Sequence, residues 1–456
     1  MSDNSKKVSV LEQFIYGSGQ IGLNMMFTIF GSYVLYFYTD VIVMNAALIG
    51  TVIMLCKFFD GISDLIAGHI IDTHTGKRGH CIPVIMKWSI PTILSMILVF
   101  MVPDSSVAVR VAFIFVTYNL YNTVLNTYVY CAYNSLASYV TDDPTTRSKM
   151  LCYAMLFAAA TQTVMAGLVL PVVNYFGGQT NQTAWIKTVL LFGGISAVFL
   201  YLNVFFVKER VENEAPPENF FTSLKAAFKN KYWLMASAIN ICCSIILMFN
   251  LSISIYYLKD VIGNLGLIGV FIACSNIPGI FIALIMPAFL NRISKRSMCI
   301  FGGILMLAAQ IIFILGPSGS IPLLLGTALL RGIGFGFPMG LVNAMVGDTI
   351  EYGEWKTGIK CQAVLFSCKA VAEKLSSGVM TSLFGFYLAA FGYNGALTVQ
   401  AGQTISAIDT FFRFGPMLVV VCILVLCGFW HLDREMPKIQ EDLAARRNTL
   451  AKQEGI

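Results

Sequence analysis

An all-α polytopic membrane protein, with twelve transmembrane helices in two pseudo-symmetric six-helix bundles, is what three observations predict. Hydrophobic residues make up 57% of the 456 and charged residues only 12%, and the mean hydropathy is +0.74, far from a soluble domain's balance. Windows of about 20 apolar residues, the length that crosses a bilayer, recur along the whole chain. The halves also echo each other: YFYTDVI at 36–42 answers YYLKDVI at 256–262, and Leu48-Ile49-Gly50 answers Leu267-Ile268-Gly269. A fainter match sets Asp72 before Lys77 and Arg78 against Asn291 before Lys295 and Arg296. Parallel repeats of this kind predict a site at their interface near the midplane.

Taken in order, the spans fall near 14–38, 43–71, 82–103, 109–138, 150–174, 186–207, 233–258, 265–289, 298–316, 320–347, 362–391 and 408–431. The first follows a polar start, MSDNSKKVSVLEQ, which does not resemble a cleavable signal peptide. Aromatic residues collect at span ends (Tyr36, Phe37, Tyr38; Tyr256, Tyr257; Trp88, Trp185, Trp233, Trp430), as interfacial belts do. Small residues recur inside spans, as in Gly17-Ser18-Gly19 and Gly332-Ile333-Gly334-Phe335-Gly336, where they permit close helix approach. Between spans six and seven, charge and Pro216-Pro217 interrupt the apolar pattern. The chain therefore divides into a bundle at 1–207, a linker at 208–231, a second bundle at 232–432 and a tail at 433–456. Within the linker, SLKAAFKN reads either as an amphipathic surface helix or as part of a tether.

Orientation follows from lysine and arginine. With the amino terminus inside, the inner segments hold 21 of them, and the outer edges hold Arg110, Lys187 and Lys259. This asymmetry predicts a multi-pass protein of the bacterial inner membrane with both termini cytoplasmic. It also accounts for the net charge of +6, which carries no nucleic-acid signal. The twelve cysteines lack metal-type spacing and read as small buried residues. No metal cluster or nucleophile motif suggests an enzyme.

Charge inside spans is the functional signal. Lys57, Asp60 and Asp64 lie at i, i+3 and i+7 of an apolar run, so one helical face carries all three. Each ionised group near mid-bilayer costs roughly 3 kcal/mol or more unless it faces protein, water or an ion. A Lys57–Asp60 ion pair is one reading. The other is a cation site, in which two carboxylates bind Na+ or share a proton. In the fourth span Asn119, Asn122, Asn126, Tyr130 and Tyr133 form one stripe at helical spacing, suited to a hydroxylated ligand or to interhelical hydrogen bonds. Thr127 stands one residue off that stripe, towards the acids. Span eleven carries Lys369, Glu373 and Lys374, and span ten Arg331; this modest cation excess admits a negatively charged substrate. Gln20, Asn24, Asn240 and Asn250 are further inward candidates. The segment DTIEYGEWKTGIK at 348–360 reads as an inner loop whose Asp348, Glu351 and Glu354 act as a cytoplasmic gate.

EYGEWKTG at 351–358 followed by Lys374, FDGISDLIAG at 59–68 and YTDV at 38–41 together resemble the glycoside-pentoside-hexuronide:cation symporter family of the major facilitator superfamily. The resemblance implies the major facilitator fold and import of a sugar or glycoside with Na+, Li+ or H+ by alternating access. By position it implies that Asp60 and Asp64 bind the cation with Ser63 and Thr127 alongside, and that Lys374, with Lys57, couples cation to substrate. Asn24, Tyr130 and Met155 stand where the family's galactoside transporters carry charged sugar-binding residues, and Ala370 replaces a threonine. The substrate-facing set is therefore expected to be Gln20, Asn24, Asn122, Asn126, Tyr130, Tyr133, Arg331, Lys369 and Glu373. No cofactor is implied beyond the coupling cation. The expected partners are a sugar or glycoside and membrane lipids, without nucleic acid, and the expected state is a monomer. An anionic sugar (hexuronide or sulfonated) and a lipid or lysolipid stand as alternative substrates.

Overall fold

The computed structural model describes residues 8–73, 79–141, 143–211, 228–286, 289, 293–357, 362–397 and 399–453. Lys6, Lys7, Lys77, Arg78, Asn291, Arg292 and Lys360, most of the linker and the side chains of Asp64 and Asp72 lie outside what it describes.

Among the described residues the chain is helical, and twelve long helices follow the predicted spans. They are α1 (Val10–Val41), α2 (Ala46–Thr73), α3 (Ile82–Val99), α4 (Val107–Val140), α5 (Pro144–Tyr175), α6 (Gln182–Phe206), α7 (Lys231–Val261), α8 (Ile268–Ile285), α9 (Lys295–Leu315), α10 (Ile321–Thr357), α11 (Gln362–Ala390) and α12 (Gly402–Phe429). Among the described residues, eleven helices are long and apolar enough to cross a membrane. The exception is α11, 29 residues long, which carries Lys369, Glu373 and Lys374.

Two compact units divide the chain. One holds Met1–Ala215, Met248–Ala273 and Ser377–Phe412; the other holds Pro216–Leu247, Cys274–Ser376 and Arg413–Ile456. In the first, buried side chains of α1, α3, α4, α5 and α6 (Tyr16, Ile85, Tyr133, Ala154, Leu200) share one core. Where the chain leaves α6 it stays attached to this unit. Glu209 accepts hydrogen bonds from the backbone N–H groups of His80 (2.7 Å), Cys81 (2.9 Å) and Ile82 (2.7 Å), capping the start of α3, where amides lack an acceptor within the helix. Arg210 forks onto Glu12 with two bonds of 2.8 Å.

The second unit departs from expectation at the inner end. The segment 348–357 is no loop: α10 continues through it to Thr357, because Ile350 and Tyr352 bury themselves while Asp348, Glu351 and Glu354 stay partly exposed. The tail supplies the matching surface as a further helix, α13 (Leu432–Gln453). Its Met436, Ile439 and Leu443 join a core with Tyr232, Trp430 and Ile350, and Asp442 accepts from the Trp355 indole at 2.9 Å.

The repeat is visible in the backbone. Both copies end in π-helical turns, Phe37–Val41 and Tyr257–Val261. In each the next amide reaches back five residues, Ile42 to Phe37 at 3.0 Å and Ile262 to Tyr257 at 3.1 Å. The first residue beyond is left-handed in both, Val43 at φ +58° and Gly263 at φ +73°.

Candidate cation site and substrate-facing residues

The sequence reading centres on Asp60, and the structure surrounds that side chain with hydrogen-bonding groups. Asp60 is 1% exposed on α2, facing α4 where α4 runs as π turns over Asn119–Asn126. A π turn widens the ring by one residue and shifts backbone carbonyls out of α-helical register, so side chains take them up. Thr127 donates to the Asn122 carbonyl (3.0 Å) and Ser63 to the Thr123 carbonyl (2.5 Å). The same segment reaches the acid: Asn122 donates its amide to Asp60 Oδ2 at 2.8 Å, and Thr127 its hydroxyl to Oδ1 at 3.2 Å. Lys57 Nζ stands 3.8 Å from Oδ2.

This arrangement combines a buried carboxylate with two hydroxyls, an amide and misaligned carbonyls. These are hard oxygen donors of the kind that Na+ or a proton uses. Lys57 supplies one compensating charge, so the Lys57–Asp60 ion pair of the sequence reading forms; the Asp64 half of the two-carboxylate site lies outside the described side chains. Further along the face, α11 presses on α2. A Cβ at Gly378 would stand 2.6 Å from Lys57 Cβ, one at Gly50 would stand 3.0 Å from Ser382 Cα, and one at Gly385 would stand 2.5 Å from the Ala46 carbonyl oxygen. Glycines at all three positions let these helices approach to backbone contact.

The polar stripe of α4 does not form as a single face, because the π turns break the helical period that predicts it. Asn122 faces Asp60; Asn119 bonds Cys56 Sγ at 3.0 Å; Asn126 is half-buried; Tyr130 is 45% exposed. Tyr133 is fully buried, stacked on Tyr16 with ring centroids 5.0 Å apart. In α1 Asn24 donates to Gln20 Oε1 at 2.7 Å.

The remaining candidates belong to the second unit. Lys369 donates to Asn343 Oδ1 at 2.6 Å and Glu373 accepts from Asn240 at 3.2 Å; Lys374 is half-buried on the same helix. Arg331, 8% exposed, bonds Gln310 at 3.0 Å and lies 5.7 Å from the Phe313 ring centroid. Asp348 pairs with Lys295 at 2.5 Å, Glu351 accepts from Gln440 at 3.0 Å, and Glu354 is half-buried on α10. Sequence reasoning missed Arg413, a buried cation that donates to the carbonyls of Phe313, Ile314 and Gly316 at 2.9–3.0 Å and so caps the end of α9.

Twelve long helices, eleven of them apolar enough to cross a membrane, without an appended soluble domain among the described residues, define a polytopic membrane protein. The chain belongs to the MFS/sugar transport protein family, whose profile matches residues 15–434. It is 27% identical over 449 residues to the isoprimeverose transporter of Lactiplantibacillus pentosus, covering 96% of this chain and 93% of that one. It is 26% identical over 441 residues to a glucuronide carrier protein homolog of Escherichia coli (95% of each chain). A putative sulfoquinovose importer of the same species is 25% identical over 464 residues (98% and 97%). Among solved structures, a bacterial homolog of the human lysosomal transporter Spinster superposes with TM-score 0.68 at 11% identity, covering 96% of this chain and 99% of that one. The nucleoside transporter NupG gives 0.64 at 13% identity, covering 94% and 100%. These two share the fold.

Proposed function

We propose that this transporter imports a sugar, glycoside or sugar derivative by symport with a monovalent cation, Na+ or H+, bound at Asp60 and Asp64. The supporting observation is the fully buried Asp60 carboxylate, which accepts from Asn122 and Thr127 beside Ser63 and the loosened carbonyls of α4. An ionised acid at that depth is costly, and an arriving cation adds to the compensation that Lys57 gives at 3.8 Å. Lys57 and Lys374 are assigned to coupling, and Gln20, Asn24, Asn126, Tyr130, Lys369 and Glu373 to the substrate side. Binding of cation and sugar must then favour each other reciprocally. An anionic sugar is the second reading; it is favoured by Lys369 beside Asn343 and by the names of the glucuronide and sulfoquinovose relatives.

A thermal-shift panel on the purified protein tests this, because a ligand of the folded state stabilises it by mass action. Neutral glycosides and glucuronides are each added with and without Na+ at two pH values. A carbohydrate shift that Na+ or acid strengthens is expected in the wild type and should lose that dependence in Asp60→Asn. Undiminished cation dependence in Asp60→Asn would remove the cation site from Asp60. Stabilisation by glucuronides alone would select the anionic reading.

A further inference from the structure

We propose that Asp40, Lys259 and Tyr393 form a latch that closes the end of the transporter opposite its basic turns, and that it releases once in each transport cycle. This rests on the reading of the protein as a transporter. The cluster joins three distant stretches inside one compact unit: the π turn ending α1, the π turn ending α7 and the segment following α11. Lys259 Nζ donates to Asp40 Oδ1 and, at 3.3 Å, to the Tyr393 hydroxyl. Tyr393 in turn donates to Asp40 Oδ1 at 2.8 Å. Thr39 bonds the Tyr256 hydroxyl at 2.8 Å and donates to Asp40 Oδ2 at 2.7 Å. The ammonium lies 5.8 and 5.7 Å from the ring centroids of Tyr36 and Tyr393, within cation–π range. A Cβ at Gly395 would stand 2.0 Å from the Thr39 carbonyl oxygen, so the post-α11 segment lies against the π turn, backbone on backbone.

The repeat explains why this contact needs a lysine. At an offset of 220, Asp40 corresponds to Asp260 and Thr39 to Lys259. With threonine at both positions, the paired turns would bring two aspartates together with nothing to neutralise them, and like charges at short range repel. Lysine in the second copy alone turns that repulsion into an ion pair. It also keeps Asp260 beside Lys259 on its own turn, so the ammonium retains a carboxylate neighbour when Asp40 withdraws. Lys259 is 19% exposed and Asp40 3% in their side chains. The contact is thus polar, shallow on one side and built on π turns, a form often found at moving or functional positions.

The test reads opening directly and uses no substrate, so it stands or falls apart from the sugar assignment. Full-length protein in phosphatidylethanolamine/phosphatidylglycerol nanodiscs is followed by hydrogen exchange over residues 34–44, 255–264 and 391–397, with α3 as the internal reference. In Lys259→Met all three segments are expected to exchange at least about tenfold faster together while α3 is unchanged, as a cooperative local opening requires. Reversing the pair (Asp40→Lys with Lys259→Asp) should restore protection, and Tyr393→Phe, which removes one hydroxyl, should lie between. Unchanged exchange in Lys259→Met, loss confined to 255–264, or no rescue by the reversed pair would overturn the latch. Should Lys259→Met fail to fold, Tyr393→Phe decides: coordinated loss at the three segments supports the latch and its absence overturns it.

Discussion

Lys57, Asp60 and Asp64 announce themselves in sequence because charge inside an apolar run has few explanations. The partners of Asp60 do not. Asn122 and Thr127 reach it through the π turns of α4, and helical spacing assigns Asn122 to a different, substrate-facing stripe. Only Thr127, off that stripe, is placed towards the acid by the same spacing. Arg413 carries the same signal, a charge inside the span at 408–431, but its partners, the backbone carbonyls at the end of α9 and the Ser318 hydroxyl at 2.9 Å, leave no spacing pattern that assigns it a role. Val43 is a residue-scale oddity that the repeat exposes, since a β-branched side chain holds the left-handed conformation its counterpart assigns to Gly263. That conformation costs an L-residue about 1–2 kcal/mol, and Val43, half exposed, loses little packing if replaced. Val43→Asn is expected to raise the melting temperature in detergent, because asparagine tolerates this region. An unchanged or lower melting temperature would mean that no strain is stored there.

At the scale of elements, eleven of the spans are legible because length and apolarity suffice, and α11 is legible by length and by its place between two others. The errors fall where amphipathic helices leave the membrane. The charges after Val346 end the apolar window and so predict a loop, yet α10 keeps its helix to Thr357 against α13. Seeing this needs the tail's apolar stripe of Met436, Ile439 and Leu443, which a composition window dilutes among charges. The seam between α2 and α11 was likewise hidden, since glycine is abundant in every span and only the fold tells which ones touch. Gly385→Val is expected to destabilise by at least about 2 kcal/mol, the range for forcing atoms into a packed contact, with a lower melting temperature and early aggregation on size-exclusion chromatography. Gly31→Ala, where an added Cβ meets no atom within 4 Å, should be neutral or mildly stabilising. Equal behaviour of the two variants would contradict the seam.

At the scale of the molecule, the echo read from YFYTDVI and YYLKDVI becomes a shared backbone signature, π turns followed by a left-handed residue. Pattern could find the repeat but not that its two copies meet at Asp40 and Lys259, because three-dimensional adjacency leaves no trace in spacing. The low apolarity of α11 reaches back to how the chain enters the bilayer. A helix handed singly to the insertion machinery is judged on its own partition energy, and each charge near its centre adds about 2.5–3.5 kcal/mol. Lys369, Glu373 and Lys374 together make a solitary α11 a poor candidate for release into lipid. When fused alone to a glycosylation reporter, α11 is expected to be rejected into the lumen; fused with α12 as a hairpin, it should be retained. Efficient solitary insertion would mean that its charges are masked within the helix itself. Biogenesis is then sequential for most of this protein but obligately joint for its eleventh crossing, which waits for company before it can become a membrane segment.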